Sequence, residues 1–171
     1  MGSSHVYDRL PLTEWRHGFL GRWSELAAGV ADEPPAIAGL GALRGILRRL
    51  LEAVARGEPP AAQDVEALNR VLAASPRTRR LEGMPGDRQR MVEAPSRYDW
   101  RWALAEVASS AAELLAAGEP RRLRVCANPD CSWMFYDESR SGSRRWCEGT
   151  ICGSLVKVRR HRATHRPPDR V

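Results

Sequence analysis

The chain has 171 residues, a formal net charge of +6 and 43% apolar residues, the share of a globular protein. That length suits one ordinary domain, or a smaller domain plus a module too short to build its own core. No run approaches the roughly 18 apolar residues of a spanning helix, and no signal peptide opens the sequence, so a soluble, cytoplasmic protein with no membrane contact is expected.

Leu12, Trp15, Phe19, Trp23, Leu26 and Val30 recur at steps of three and four. That spacing predicts an amphipathic helix, with Thr13 as its N-cap. Pro34-Pro35 reads as a break, and a second helix follows on Leu40, Leu43, Leu47, Leu50, Leu51 and Val54. Gly39, Gly41 and Gly45 each cost its first half about 1 kcal/mol relative to Ala, which predicts either a delayed start or close packing. Val65, Leu68, Val71 and Leu72 give a short third helix that Ser75-Pro76 ends. Leu81 and Met84 before Pro85-Gly86-Asp87, with Met91 and Val92 after it, suggest a small hairpin or an irregular arm over 77–95. Asp99 is placed to cap a fourth helix on Trp100, Ala103, Leu104, Val107, Ala111, Leu114 and Leu115, which stops at Gly118-Glu119-Pro120. None of these helices is stable alone, so they are expected to pack as a small bundle.

Charge is unevenly spread. Residues 1–120 hold 15 Arg and 16 acids, whereas 121–171 hold 12 Arg plus Lys and 5 acids, a net of +7. Lys157 is the one lysine beside 26 arginines, so arginine richness alone carries little weight. All four cysteines lie in this basic third. Clustered thiols in a reducing compartment are more often metal ligands than disulfides.

The spacing is Cys126-x4-Cys131, fifteen residues, then Cys147-x4-Cys152. Two looped pairs supply the tetrahedral geometry that zinc requires, and four thiolates leave no open position for a catalytic water. A structural zinc ion held by Cys126, Cys131, Cys147 and Cys152 is therefore expected. Asn128-Pro129-Asp130 lets the first loop curl around the ion. Trp133, Phe135 and Tyr136, then Ser141-Gly142-Ser143, then Arg144, Arg145 and Trp146 read as strand, turn, strand. Ser154 to His165 continues as a helix whose first turn brings the last ligand. The expected fold is mainly α: a small N-terminal helical bundle plus a C-terminal treble-clef-like zinc finger with a β-hairpin.

The stretch from Leu123 through Cys126-Ala127-Asn128-Pro129-Asp130-Cys131 to Phe135, with Arg144-Arg145-Trp146-Cys147 and Lys157-Val158-Arg159-Arg160-His161-Arg162, resembles the CGNR zinc-finger family. In that family the finger usually follows a helical ABATE domain, and residues 12–118 are compatible with one. The resemblance implies a bacterial transcription regulator; the change in charge, cysteine content and helical spacing near residue 120 divides the chain into 1–120 (ABATE-like), 121–166 (finger) and 167–171 (tail), and the basic residues make double-stranded DNA the expected partner. One departure stands out: the family's Cys-Gly-Asn-Arg is here Cys152-Gly153-Ser154-Leu155.

Arg144, Arg145, Lys157, Arg159, Arg160, His161 and Arg162 form the candidate nucleic-acid face, since Arg and Lys dominate phosphate contacts and Arg also pairs with guanine edges. Arg166 extends the same surface. A solvated basic tail is the bland alternative. Trp15, Trp23, Trp100 and Trp102 are the candidates for a small-molecule effector pocket, against ordinary core packing. Trp100 and Trp102, two residues apart, do not share a helix face. No nucleophile with a base, phosphate loop or open metal site marks an enzyme. The two functional readings are a regulator, which usually reads two half-sites as a homodimer, and a zinc-braced adaptor for protein or RNA partners.

Overall fold

The computed structural model describes residues 8–22, 33–83 and 85–165. Trp23, Leu26, Val30, Met84 and Arg166, named above, lie outside the described residues. The chain divides into two compact units, one of Asp8–Ala53 with Pro59–Gly118, the other including Val54–Glu58 and Glu119 onward.

The first unit is helical. Helix α1 spans Thr13–Leu20, α2 Pro34–Ala55, α3 Ala62–Ala73 and α4 Trp100–Ala117. Two expectations about the helix starts are corrected. Thr13 is the first helical residue rather than the cap, and its hydroxyl accepts from the Arg16 guanidinium at 3.0 Å. Pro34-Pro35 opens α2 instead of breaking the chain, because a proline in the first turn has no N–H to lose and its φ suits the helix. Asp99 does cap α4, its carboxylate accepting from the backbone N–H groups of Arg101 at 3.0 Å and Trp102 at 3.2 Å.

Leu20, Leu40, Leu43, Leu50, Leu68, Trp102, Ala103, Leu104 and Ala108 form the core. On α1 the buried pair is Arg16 and Leu20, one turn apart, while Trp15 and Phe19 stack beside them with ring centroids 4.9 Å apart. Helix α2 does not start late, and of its three glycines Gly39 marks close packing. A Cβ on Gly39 would lie 2.4 Å from Leu104 Cδ1, so this position lets α4 approach.

Residues 77–95 form a hairpin. Strand β1 (Arg77–Glu82) pairs antiparallel with β2 (Arg90–Pro95), with Leu81 opposite Met91 and Gly86 at φ +92° in the turn between them. Both Leu81 and Met91 are exposed.

The second unit holds strands β3 (Leu123–Val125) and β4 (Met134–Tyr136), a five-residue π turn (Gly149–Gly153) and helix α5 (Ser154–Thr164). Here the pairing departs from expectation. Strand β4 does not pair with residues 144–146; it pairs antiparallel with β3, and the first cysteine loop is the turn joining them. Residues 144–146 instead run inward to Cys147, joined to the first loop by a hydrogen bond from Ala127 N–H to the Arg145 carbonyl at 2.9 Å.

Candidate metal centre and nucleic-acid interface

Strands β3 and β4 carry the first cysteine loop at their tip. Cys126 N–H donates to the Trp133 carbonyl at 2.9 Å, and Cys131 N–H donates to the Asn128 carbonyl at 2.9 Å, which turns both thiols toward one point. Cys147 ends the segment after the 137–143 loop, and Cys152 comes from the π turn that leads into α5. The sulfurs of all four cysteines lie within 4.8 Å of one another. Cys131 and Cys147 are 3.7 Å apart, Cys147 and Cys152 3.6 Å. Disulfide bonding requires about 2.05 Å, so these are free thiols. Four thiolates arranged tetrahedrally at about 2.3 Å from a metal ion stand about 3.8 Å apart. The observed spacing fits that arrangement.

Electrostatics point the same way. Burial pushes the Cys147 thiol well up, and its three sulfur neighbours add to the rise. Burial likewise raises Cys131. For Cys126, burial is outweighed by hydrogen bonds to its sulfur from the backbone at Cys147 and Asn128, and the net shift is downward. Four thiolates this close repel one another unless a cation sits among them. The four cysteines are thus positioned to hold a metal ion.

Three neighbours that spacing alone did not single out brace this centre. Asn128 is buried; its amide donates to Cys152 Sγ at 3.6 Å and its side-chain oxygen accepts from Asp130 N–H at 3.3 Å. It joins the first loop to the last ligand. Asp137 is fully buried, its carboxylate accepting from Ser139 N–H at 3.0 Å, Ser139 Oγ at 2.6 Å and Arg144 N–H at 2.8 Å. The Ser139 hydroxyl, with further help from the backbone at Arg144 and Ser139, holds that carboxyl below its usual range. Gly153 is buried against Trp146, where a Cβ would meet the indole at 3.0 Å. Of these, Gly153 was visible as the second residue of the motif and Asn128 as a turn former, but no sequence signal marks Asp137.

The basic residues fall into two groups. Arg144 donates to the carbonyls of Trp146 and Cys147 and lies over the Phe135 ring, 5.0 Å from its centroid. Arg159 pairs with Asp130 and donates to the Asn128 side chain at 3.5 Å. Both therefore hold the finger together, although each keeps an exposed surface. Arg145 stacks over Trp146 at 5.1 Å. Lys157, Arg160 and Arg162 are exposed, and among the described residues no ion pair engages them. The exposed rings of His161 and His165 lie tilted against each other, centroids 4.1 Å apart. Helix α5 buries none of its residues.

Among the described residues, Trp15, Trp100 and Trp102 have different surroundings. Trp102 is buried in the core, meeting Tyr98 edge-on at 5.0 Å. Trp100 is half-buried under the Arg101 guanidinium at 4.6 Å, and Trp15 stacks on Phe19. Of two surface depressions in the helical unit, one is lined by residues of the 81–90 hairpin and the other by Ala74–Pro76, Ser96, Arg97, Asp99 and Arg101; neither contains a tryptophan. No helix among the described residues is long and apolar enough to cross a membrane.

Comparison with known families gives two matches along this chain. Residues 1–118 match the ABATE family, described as "Putative stress-induced transcription regulator", and residues 122–165 match the CGNR zinc finger. No curated protein matches the chain.

Proposed function

Because the chain belongs to the ABATE family and carries a CGNR zinc finger, we propose that it is a bacterial DNA-binding transcription regulator whose metal ion is zinc. Zinc suits the donor set: four soft thiolates in a tetrahedral cage, with no preference imposed by d-electrons. Cys126, Cys131, Cys147 and Cys152 would hold it, and its role is to bind the two loops and α5 into one module. A full shell of four ligands makes this a structural, non-catalytic site.

The observation that carries the reading is helix α5. It projects from the cysteine cluster exposed on its sides, with Lys157, Arg159, Arg160 and Arg162 and no acidic residue between Glu148 and Asp169. A helix of that charge fits the major groove of duplex DNA, which admits one α-helix between two rows of phosphates. The helical unit then serves regulation, as effector sensor or homodimer surface, since two fingers are needed to read two half-sites. The adaptor reading keeps one specific support: Trp133 is 62% exposed on the finger, and exposed aromatics are common at protein interfaces. Titration of zinc-loaded protein and its Lys157→Ala/Arg160→Ala/Arg162→Ala variant with labelled duplex DNA separates them. DNA binding predicts tight association at low salt that the triple variant loses; no association of either at tens of micromolar would favour the adaptor.

A further inference from the structure

We propose that strand β1 is the seam of a homodimer: its open edge pairs antiparallel with the same strand of a second copy, Leu81 facing Leu81 across a two-fold axis, so that two hairpins join into one sheet. This goes beyond the regulator reading, which leaves the homodimer surface unplaced. Its test needs no DNA, so the failure of one is distinct from the failure of the other.

The backbone pattern identifies the open edge. Ser96 N–H donates to the Pro76 carbonyl at 3.0 Å, and the ladder runs from there in unbroken register to Glu82 opposite Arg90. Hydrogen-bonded and non-hydrogen-bonded pairs alternate along an antiparallel ladder. Thr78, Arg80 and Glu82 therefore turn their backbone groups toward β2, while Arg77, Arg79 and Leu81 turn theirs outward. Among the described residues no further strand receives them. The β2 edge is blunted: its outward positions are Met91, Glu93 and Pro95, and a proline has no N–H to donate. Strand β1 contains no proline, so it is the edge ready to accept a strand.

The side chains identify the strand that fits. Leu81 and Met91 lie opposite each other on one face of the hairpin, 65% and 63% exposed. On the other face Arg80 pairs with Glu82 at 2.6 Å along the β1 edge. With the two-fold axis through Leu81, the outward backbone groups of that residue meet their own counterparts. Arg80 then stands opposite Glu82 of the second copy, and Glu82 opposite its Arg80, so four charges alternate in sign. Met91, Leu81 and their counterparts form one apolar row across the joined sheet. An axis through Arg77, Arg79, Arg80 or Glu82 would set like charge against like, and one through Thr78 would set Arg77 against Arg79, which is destabilising. Leu81 is the one position of β1 that avoids this. The edge is thus complementary to itself, which is the requirement of a two-fold contact.

The test is sedimentation velocity of full-length, zinc-loaded protein between about 1 μM and about 100 μM, the range in which a small interface associates. Wild type should shift from monomer to dimer and no further, since a two-fold contact closes on itself. Arg80→Glu opposes carboxylates across the seam and Glu82→Arg opposes guanidinium groups, so each should raise the dimer dissociation constant about tenfold or more. Mixed one to one, the two variants regain both opposite-charge pairs and should associate with each other more tightly than either does with itself. The double variant Arg80→Glu/Glu82→Arg, which keeps the pairing with signs reversed, should dimerise like wild type. Leu81→Lys should stay monomeric with an unchanged far-ultraviolet spectrum, because the side chain is exposed. A wild type that stays monomeric, growth beyond dimers, a Leu81→Lys variant that still dimerises, or a mixture that associates no better than its components would overturn the proposal.

Discussion

The side-chain amide of Asn128 donates to the sulfur of Cys152 at 3.6 Å, tying the first cysteine loop to the ligand that opens the last helix. Twenty-four residues of chain separate them, so this contact exists only once the finger has closed. Outer partners of metal ligands set ligand orientation and charge, and their loss typically costs 10–100-fold in metal affinity. Asn128→Ala should therefore release zinc about 10–100-fold more readily in competition with a chromophoric chelator. An unchanged affinity would show that the hydrogen bond is incidental.

Gly153 is required for space, since its φ of −63° is open to any residue. The Trp146 indole leaves no room for a branched side chain beside it. Gly153→Val should destabilise the finger by about 1–3 kcal/mol through overpacking. Trp146 fluorescence during thermal unfolding of the zinc-loaded protein would report it, and an unshifted transition would count against this packing.

Gly39 and Leu104 should be energetically coupled. Gly39→Ala gains about 1 kcal/mol of helix propensity but drives the new methyl into Leu104 Cδ1, within the core, at a cost of about 1–3 kcal/mol. In a Leu104→Ala background, itself about 2–5 kcal/mol less stable, the clash is gone and the same change should stabilise. Equal effects of Gly39→Ala in both backgrounds, measured by urea unfolding, would show that the helices separate without strain.

Asp64 should make the helical unit sensitive to acid. The carboxylate is buried and accepts from Arg49 at 2.7 and 2.9 Å, and this hydrogen bonding lowers its pKa from 3.8. A carboxyl depressed in the folded state contributes stability that is fully present above its unfolded pKa, about 4, and is lost as pH falls through the lower folded value. Wild type should therefore lose more stability than Asp64→Asn between pH 6 and pH 3. Parallel pH profiles for the two proteins would remove Asp64 from the account.

How far the sequence could be read depended on whether the determining contacts were local. Helical periodicity placed α2, α3 and α4, Asp99 announced its own cap, and four cysteines in one window announced the metal centre. What escaped were contacts between distant segments. The partner of β4 could not be chosen from apolar pattern alone, because residues 123–125 and 144–146 both adjoin a cysteine. Asn128 read only as a turn former, and Asp137 gave no sign that it would be buried beneath the loop it holds. Arg144 and Arg159 looked like their basic neighbours, yet their guanidinium groups are engaged within the finger. The double proline at the start of α2 misled because proline can end one helix and begin another.

If a zinc-braced finger presents α5 to duplex DNA, binding should depend steeply on salt. On the proposed reading, Lys157, Arg160, Arg162 and Arg145 would supply about four phosphate contacts. The logarithm of the association constant should then fall against the logarithm of salt concentration with a slope of about −4, and Arg160→Ala should make that slope shallower by about one. Removing zinc with a chelator should abolish binding while the helical unit keeps its circular dichroism. A slope near zero, or equal binding by zinc-loaded and zinc-stripped protein, would contradict the account.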